Sequence, residues 1–408
     1  MTTLDEFQIS PLIRVVNTLG GGLVNLKLFS IDVRSHSLRA VAERQTGLSD
    51  WGSEDFWPGF EALCHSFAQD EKQTLVGYIS FRIEALRRLR NRLLLEQVVK
   101  REPGILASLV RRPLFIIGFP RTGTSMLHRL LTQAPNVHVP LYWKLHTPLP
   151  LNVSQAEINQ RIKSAESFLH FASLVAPKWT IIHPIDAHQP EECVFLLSDN
   201  LTYSVRAHLP EYIEQYLQLD LTPVYRNYRQ HLQALQWQQP EGSWVLKSPL
   251  HLWSMEALLK VFPDARIVMT HRDPKKAFPS WCSLTASLSK MTRKDVDPRQ
   301  TAKEWLPLWK TGLERAQVVR AAADPGQFFD MCYADLMADP LAMVRQIYAH
   351  FGDELTPEAE TAMSGWLTAN AHGAHEGHRY DVAQYGIRDD QIEREFRDYT
   401  DAFAIPLE

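Results

Sequence analysis

The stretch Pro113-Leu-Phe-Ile-Ile-Gly-Phe-Pro-Arg-Thr-Gly-Thr-Ser125 decides the fold. From Leu114 to Ile117 it is apolar without interruption, the pattern of a strand buried on both faces of a parallel sheet. Gly118 and Gly123 then frame a turn, and Met126 to Gln133 reads as a helix. A strand, a glycine turn and a helix N-terminus aim several backbone N–H groups at one point, where the helix dipole also favours negative charge. The spacing G-x-x-x-x-G is that of a phosphate-binding P-loop, with Ser125 at the hydroxyl position. An NTPase carries Lys where this chain has Thr124, and the cation has moved to Arg121 inside the loop. Such a loop suits a phosphate-like group held without a magnesium–lysine arrangement. The plainer alternative is an ordinary glycine-containing turn between strand and helix.

Downstream, Ser243-Trp-Val-Leu-Lys247 and Arg266-Ile-Val-Met-Thr270 repeat the buried-strand pattern, each followed by a helical pattern. Gln327-Phe-Phe-Asp-Met-Cys332 is a further candidate with a helix after it. Strands alternating with helices imply an α/β fold with a P-loop-type parallel sheet flanked by helices. Upstream, residues 34–101 read as helices, with Leu75, Tyr78, Ile79, Ile83, Leu86, Leu89, Leu93 and Val98 on an apolar stripe. Pro103-Gly104 is a stop signal. The organisation expected is a helical N-terminal extension over 1–105 and a P-loop-like domain over 106–408. Within that domain, 152–237 form a helical insertion.

The 408 residues hold 43 Lys+Arg against 47 Asp+Glu, a net charge of -4, which argues against a general nucleic-acid binder. Cys64, Cys193, Cys282 and Cys332 form no C-x-x-C pair, so neither a disulfide framework nor a zinc site is expected, and a reducing compartment suits them. The first residues are acidic where a secretory signal is basic. The apolar stretch over 11–31 is broken by Arg14, Lys27 and Gly20-Gly21-Gly22, so it reads as a packed helix and turn, or more weakly as a surface anchor. A soluble cytoplasmic protein with no transmembrane segment is expected.

Other features are read conservatively. His372-x-x-His375-x-x-His378 lacks metalloprotease spacing and is expected to be surface, or a loop over a bound nucleotide with His378 or Arg379 near a phosphate. The five arginines from Arg82 to Arg92 are expected on the solvated side of an amphipathic helix. Trp51, Phe56, Trp57 and Phe60 read as core, while Trp143, Trp179 and Trp281 are candidates to line an acceptor pocket.

Several motifs together resemble one family. Residues 120–125, Pro-Arg-Thr-Gly-Thr-Ser, look like the 5'-phosphosulfate loop of sulfotransferases that use 3'-phosphoadenosine 5'-phosphosulfate (PAPS). Val268-Met-Thr-His-Arg272 and Ser280, eight residues beyond Arg272, resemble the family's 3'-phosphate element. Trp244-Val-Leu-Lys247-Ser-Pro-Leu-His251 resembles the segment with its catalytic Lys and His, and Tyr333-Ala-Asp-Leu-Met-Ala-Asp-Pro340 the segment whose Tyr lines the adenosine site. His378-Arg379-Tyr380, Tyr385-Gly386 and Thr46-Gly-Leu-Ser-Asp50 resemble the bacterial branch.

The resemblance implies PAPS as cofactor, 3',5'-adenosine bisphosphate as product and no metal. It places Arg121, Thr122, Gly123, Thr124 and Ser125 at the 5'-phosphosulfate, Arg272 and Ser280 at the 3'-phosphate, and Tyr333 at the adenosine. Sulfuryl transfer is a loose in-line displacement dominated by positioning and charge. Arg121 and Lys247 are the cations expected to meet the developing charge. The general base expected first is His251, four residues past Lys247, with Glu191 and Glu192 as rivals. Related proteins place a glutamate base where Lys144 stands here. The function implied is transfer to a hydroxyl, or less often an amine, of a small molecule. A peptide tyrosine or glycan acceptor is the sister reading, and a P-loop kinase, NTPase or non-catalytic nucleotide binder the rival class. Weak surface association with a membrane is allowed, and nucleic acid is not an expected partner.

Overall fold

Short apolar runs that must be buried on both sides find that burial in a parallel sheet. The computed structural model describes residues 9–25, 31–149, 151, 153–176, 183–197, 201–239, 241–370 and 382–408. The strands are β1 (Leu114–Gly118), β2 (Val137–His138), β3 (Ser243–Lys247), β4 (Arg266–His271) and β5 (Phe328–Cys332). They form one five-stranded sheet in the order β2-β3-β1-β4-β5, with every pairing parallel. Registers Ile116↔Lys247, Gly118↔Thr270 and His271↔Cys332 bring the carboxyl ends of four strands to one edge. In open parallel sheets, ligands bind at that edge.

The side-chain alternation of β1 explains its unbroken apolarity. Phe115 and Ile117 join Leu246, Ile267 and Met269 in the larger core. Leu114 and Ile116 turn to the other face, against Val245, Val268 and Met331 and the helix Thr124–Leu131 through Leu127, Leu130 and Leu131. The larger core also takes in Leu38, Trp51, Phe56, Trp57, Phe60 and Phe81 from the N-terminal helices, so packing is continuous across residue 105. The described residues between 152 and 237 are mainly helical, including Gln155–Val175 and Thr222–Gln236.

The arginine-rich helix Leu75–Arg101 departs from the expected solvated face. Arg87, Arg88 and Arg92 are buried. Arg88 donates to Glu84 Oε1 at 2.9 Å, Arg206 also pairs with Glu84, and Arg92 donates to the Trp51 carbonyl at 3.1 Å. Arg87 donates to the Leu145 and His146 carbonyls, each at 3.3 Å. Burial opposes charge on Glu84, yet Arg206 and Arg88 hold its carboxyl well below the usual range. The helix is covered on several sides, so its charges are met by internal partners rather than by water.

Trp281 also departs from expectation. It is buried with its ring 4.9 Å from Trp305 and 5.4 Å from Trp309, inside the core rather than on a pocket wall. Trp143 is partly buried beside Phe168 and Ile185, and Trp179 lies outside the described residues. The early apolar stretch folds as the helix Pro11–Asn25, anchored where Asn17 Oδ1 accepts from the Val76 N–H at 3.1 Å. No described helix is long and apolar enough to cross a membrane.

Candidate active site

The loop after β1 is shaped by two glycines. Gly118 adopts φ 153°, and a Cβ there would lie 2.4 Å from the Thr270 carbonyl oxygen. Gly123 adopts φ 85°, and its Cβ would meet Leu336 at 2.8 Å and Tyr333 at 3.3 Å. Only glycine allows both the left-handed backbone and this approach. Arg121 holds φ 68°, a costly value for a residue with a Cβ. Thr122 is fully buried; its hydroxyl donates to the Phe119 carbonyl at 2.6 Å and lies 2.5 Å from Thr270 Oγ1. It therefore braces the loop against β4. Thr124 is buried at the start of the helix, while Ser125 is exposed.

The end of β4 brings the second cation. His271 is fixed by Asp330 Oδ1 and the Tyr399 hydroxyl, each at 2.9 Å, and Arg272 follows. The Arg272 guanidinium carbon lies 3.9 Å from the Tyr333 ring centroid, and Nη1 donates to the Arg121 carbonyl at 3.3 Å. Arg121 Nε in turn donates to Ser280 Oγ at 3.1 Å, from the helix Pro274–Thr292. Arg121, Gly123, Arg272, Ser280 and Tyr333 thus converge. Arg272 Nε and Nη2 face the carboxylate of Glu408, each at 3.0 Å from an oxygen.

Beside them, at the end of β3, Lys247 Nζ donates to Glu192 Oε1 at 2.9 Å and Ser248 Oγ to Glu192 Oε2 at 2.9 Å. The insertion delivers this glutamate because residues 187–191 are clamped to residues 140–143. Tyr142 N–H donates to the Gln189 carbonyl at 3.0 Å, Trp143 N–H to Ala187 at 3.1 Å, and Glu191 N–H to Pro140 at 3.0 Å. Glu191 is buried; its Oε1 accepts the Glu192 N–H at 2.8 Å and lies 3.4 Å from His183 Nε2. Burial opposes charge on Lys247, but Glu192 and then Glu191 outweigh it and raise its pKa above the ordinary range. Burial also pushes the Glu191 carboxyl up, yet His183 and Lys247 bring it down to about 2.

His251 is placed differently. It is fully buried, with Nε2 3.2 Å from Cys193 Sγ and Nδ1 2.5 Å from the Tyr225 hydroxyl. Burial lowers its pKa to about 3, so the ring is neutral. Both ring nitrogens are engaged in the core. Lys144 lies with Nζ 5.7 Å from the Trp143 ring, its pKa lowered by burial, and its charge bears on His138. Sequence reasoning missed Ser248, His183 and Glu408. Of these only Ser248 carried a local signal, its place beside Lys247.

The four cysteines are free thiols. Among the described residues, no group of three or more His, Cys, Asp or Glu side chains is arranged to hold a metal ion. His372, His375, His378, Arg379 and Tyr380 lie outside the described residues, and Tyr385 is buried in the core.

A parallel α/β sheet with a glycine anion loop and paired cations at its carboxyl edge defines a nucleotide-phosphate-binding class of protein. Within it, the sulfotransferase family model matches residues 113–357, and the chain belongs to that family. Omega-hydroxy-beta-dihydromenaquinone-9 sulfotransferase Stf3 of Mycobacterium bovis is 26% identical over 260 residues, covering 59% of this chain and 62% of that protein. The chain thus spans less than two thirds of the length of the curated relative it matches. The crystal structure of sulfotransferase STF1 from Mycobacterium tuberculosis H37Rv matches at TM-score 0.80 and 31% identity, over 90% of this chain and 100% of that one. Sulfotransferase STF9 from Mycobacterium avium matches at TM-score 0.84 and 29% identity, over 93% and 99%.

Proposed function

We propose that the chain transfers a sulfuryl group from PAPS to a hydroxyl, or less often an amine, of a small-molecule acceptor. The observation that carries this reading is the convergence of Arg121, Arg272, Ser280 and Tyr333 beside the Lys247–Glu192 pair, all at one sheet edge. The residues fit the cofactor. Gly123 leaves no room for a Cβ, and Arg272 already donates to a carboxylate in the position expected to take a phosphate. PAPS supplies the sulfuryl group and a 3',5'-bisphosphate leaving group.

The chain's own residues supply charge and position. Arg121 and the loop N–H groups, with Thr124 and Ser125 at the helix start, hold the 5' side. Arg272 offers a planar fork and Ser280 a hydroxyl to the 3'-phosphate. Lys247 is the second cation facing the transferred group. We assign the general base to Glu192 rather than His251. The Glu192 side chain keeps a fifth of its surface open, whereas His251 is sealed in the core with a pKa of about 3. An anion that draws Lys247 away leaves the Glu192 carboxylate open to the acceptor's proton. His251 instead fixes Tyr225 and Cys193 behind the site.

The curated relative acts, by its name, on a hydroxylated dihydromenaquinone. An apolar alcohol is therefore the first acceptor class to try here. Four free thiols fit a reducing, cytoplasmic setting. The test is thermal shift with 3',5'-adenosine bisphosphate against ATP plus magnesium, followed by sulfate transfer from PAPS to apolar alcohols, phenols and amines. A ligand at 100 times its Kd adds about 2.7 kcal/mol of stability. Stabilisation by ATP–magnesium alone would overturn the reading.

A further inference from the structure

Arg272 holds an anion from its own chain. Its Nε and Nη2 meet the two oxygens of Glu408 at 3.0 Å each, the same two-pronged fork a guanidinium offers to phosphate. The contact is not that of a loose side chain. The Glu408 backbone N–H donates to Asp273 Oδ2 at 2.9 Å, and Asp273 is only 1% exposed. The other oxygen of Asp273 caps the helix Pro274–Thr292 by accepting from the Lys275 N–H at 2.9 Å. Three residues earlier, Ile405 is buried and its N–H bonds the Thr400 carbonyl at 3.0 Å. Residues 405–408 are therefore fixed at both ends, with the carboxylate directed at Arg272 and the Tyr333 ring against the guanidinium.

A carboxylate and a phosphate cannot share that fork. A 3'-phosphate carries roughly −1.5 to −2 charges near pH 7, and like charges at hydrogen-bonding distance repel. A ligand with a 3'-phosphate must displace Glu408. One without it can leave the Glu408–Arg272 pair intact and gains nothing from Arg272. We infer that Glu408 is an internal competitor for the 3'-phosphate site, which Arg272 releases only to ligands that carry that phosphate. This rests on the reading of Arg272 as the 3'-phosphate residue. The device keeps the guanidinium paired when no cofactor is present and makes the chain's response selective for one end of the nucleotide.

The effect is modest, because both side chains keep some exposure, 22% for Arg272 and 31% for Glu408. Exposed pairs of this kind correspond to about fivefold in an equilibrium constant at most. The experiment is calorimetric titration of 3',5'-adenosine bisphosphate and of AMP into the full chain, Glu408→Gln, Glu408→Ala and Arg272→Ala. Both Glu408 variants keep the backbone bond to Asp273. They are expected to bind the bisphosphate more tightly, by up to about fivefold, and AMP with unchanged affinity. Unchanged or weaker bisphosphate binding in both variants overturns the inference, as does equal tightening of AMP. If Arg272→Ala binds the bisphosphate as well as the parent, the 3'-phosphate reading itself fails. If Arg272→Ala weakens it and the Glu408 variants change nothing, only the competitor role fails.

Discussion

Glu192→Gln separates the chemistry of the site from its binding and its stability. The substitution keeps an amide oxygen for Lys247, now 2.9 Å from Glu192 Oε1, and turns the amide NH2 to Ser248 Oγ, a hydroxyl that can accept as well as donate. The lysine side chain is 3% exposed, so the lost interaction lies on a largely desolvated group. Hydrogen bonds to charged groups contribute about 1.5–3 kcal/mol and neutral ones about 0.5–1.5, so the change costs about 1–2 kcal/mol of stability. The larger penalty of about 3–5 kcal/mol for orphaning a buried charge does not apply in full. Glu191, with its carboxyl held down at about 2, stays ionised and still supports Lys247. The chemical effect is far greater. Loss of a general base lowers turnover by about 100- to 10,000-fold. Arg272, Ser280 and Tyr333 are untouched, and Lys247 is assigned to the sulfuryl group that 3',5'-adenosine bisphosphate lacks, so affinity for the bisphosphate is expected to stay within about twofold. The assay is the initial rate of sulfate transfer from PAPS to the best acceptor of the panel, alongside a bisphosphate titration and a urea unfolding curve. Turnover within fivefold of the parent, at unchanged bisphosphate affinity, would refute the assignment. A 100-fold loss in His251→Gln at unchanged stability would return the role to His251.

Arg272→Ala should weaken 3',5'-adenosine bisphosphate by about 10- to 100-fold, the worth of charge-assisted hydrogen bonds, and leave AMP nearly unchanged by calorimetry. Gly123→Ala puts a Cβ 2.8 Å from Leu336 at φ 85°, a left-handed cost of about 1–2 kcal/mol that also displaces Tyr333. Weaker bisphosphate binding and an earlier urea midpoint are expected, and an unchanged titration would show that the loop has room. Stability should also fall in acid. Burial lowers His128 to about 3, His231 to about 4 and His251 to about 3, below an ordinary value of 6.5. The unfolded chain therefore takes up protons that the native one refuses. Stability is full above about pH 6.5 and declines as pH falls toward 4, by up to about 1.4 kcal/mol per pH unit for each histidine. Glu191 adds to the loss below the ordinary carboxyl range. Urea unfolding at pH 7.5, 6.5 and 5.5 tests this, and a flat or rising trend would contradict it.

What was legible in the chain is what the backbone alone dictates. The strands β1, β3 and β4 announce themselves because two-sided burial demands apolar runs, while β5, an edge strand interrupted by Asp330, was marked by its place before a helix. Gly118 and Gly123 could be read because a left-handed turn against Thr270 and Tyr333 admits no Cβ. The two-residue β2 has too little pattern to read. The orientation of His251 was hidden for a different reason. A spacing of four after Lys247 suggested a shared side, but the residues between form the 3-10 turn Pro249–Ser254, whose tighter winding carries the ring into the core. The buried arginines of Leu75–Arg101 were hidden too, because their carbonyl partners at Trp51, Leu145 and His146, and the Arg206 that shares Glu84 with Arg88, reach them only in the folded chain.

A common logic joins the cations at the sheet edge. Lys247 is held by Glu192 and Arg272 by Glu408, so the two principal charges offered to a polyanionic ligand are already neutralised from within. An unpaired cation in a partly dehydrated site would be costly, and an internal carboxylate removes that cost when no ligand is present. The arrangement lowers affinity, since each pair must exchange. It also couples binding to reactivity. The exchange that frees Glu408 only admits the nucleotide, but the exchange that frees Glu192 exposes a carboxylate next to the place where the acceptor must lose a proton. On this view the base becomes available only when Lys247 has found another anion. Proton abstraction from an alcohol is then tied to the presence of the sulfuryl donor, and an acceptor bound alone meets a carboxylate still engaged by its lysine.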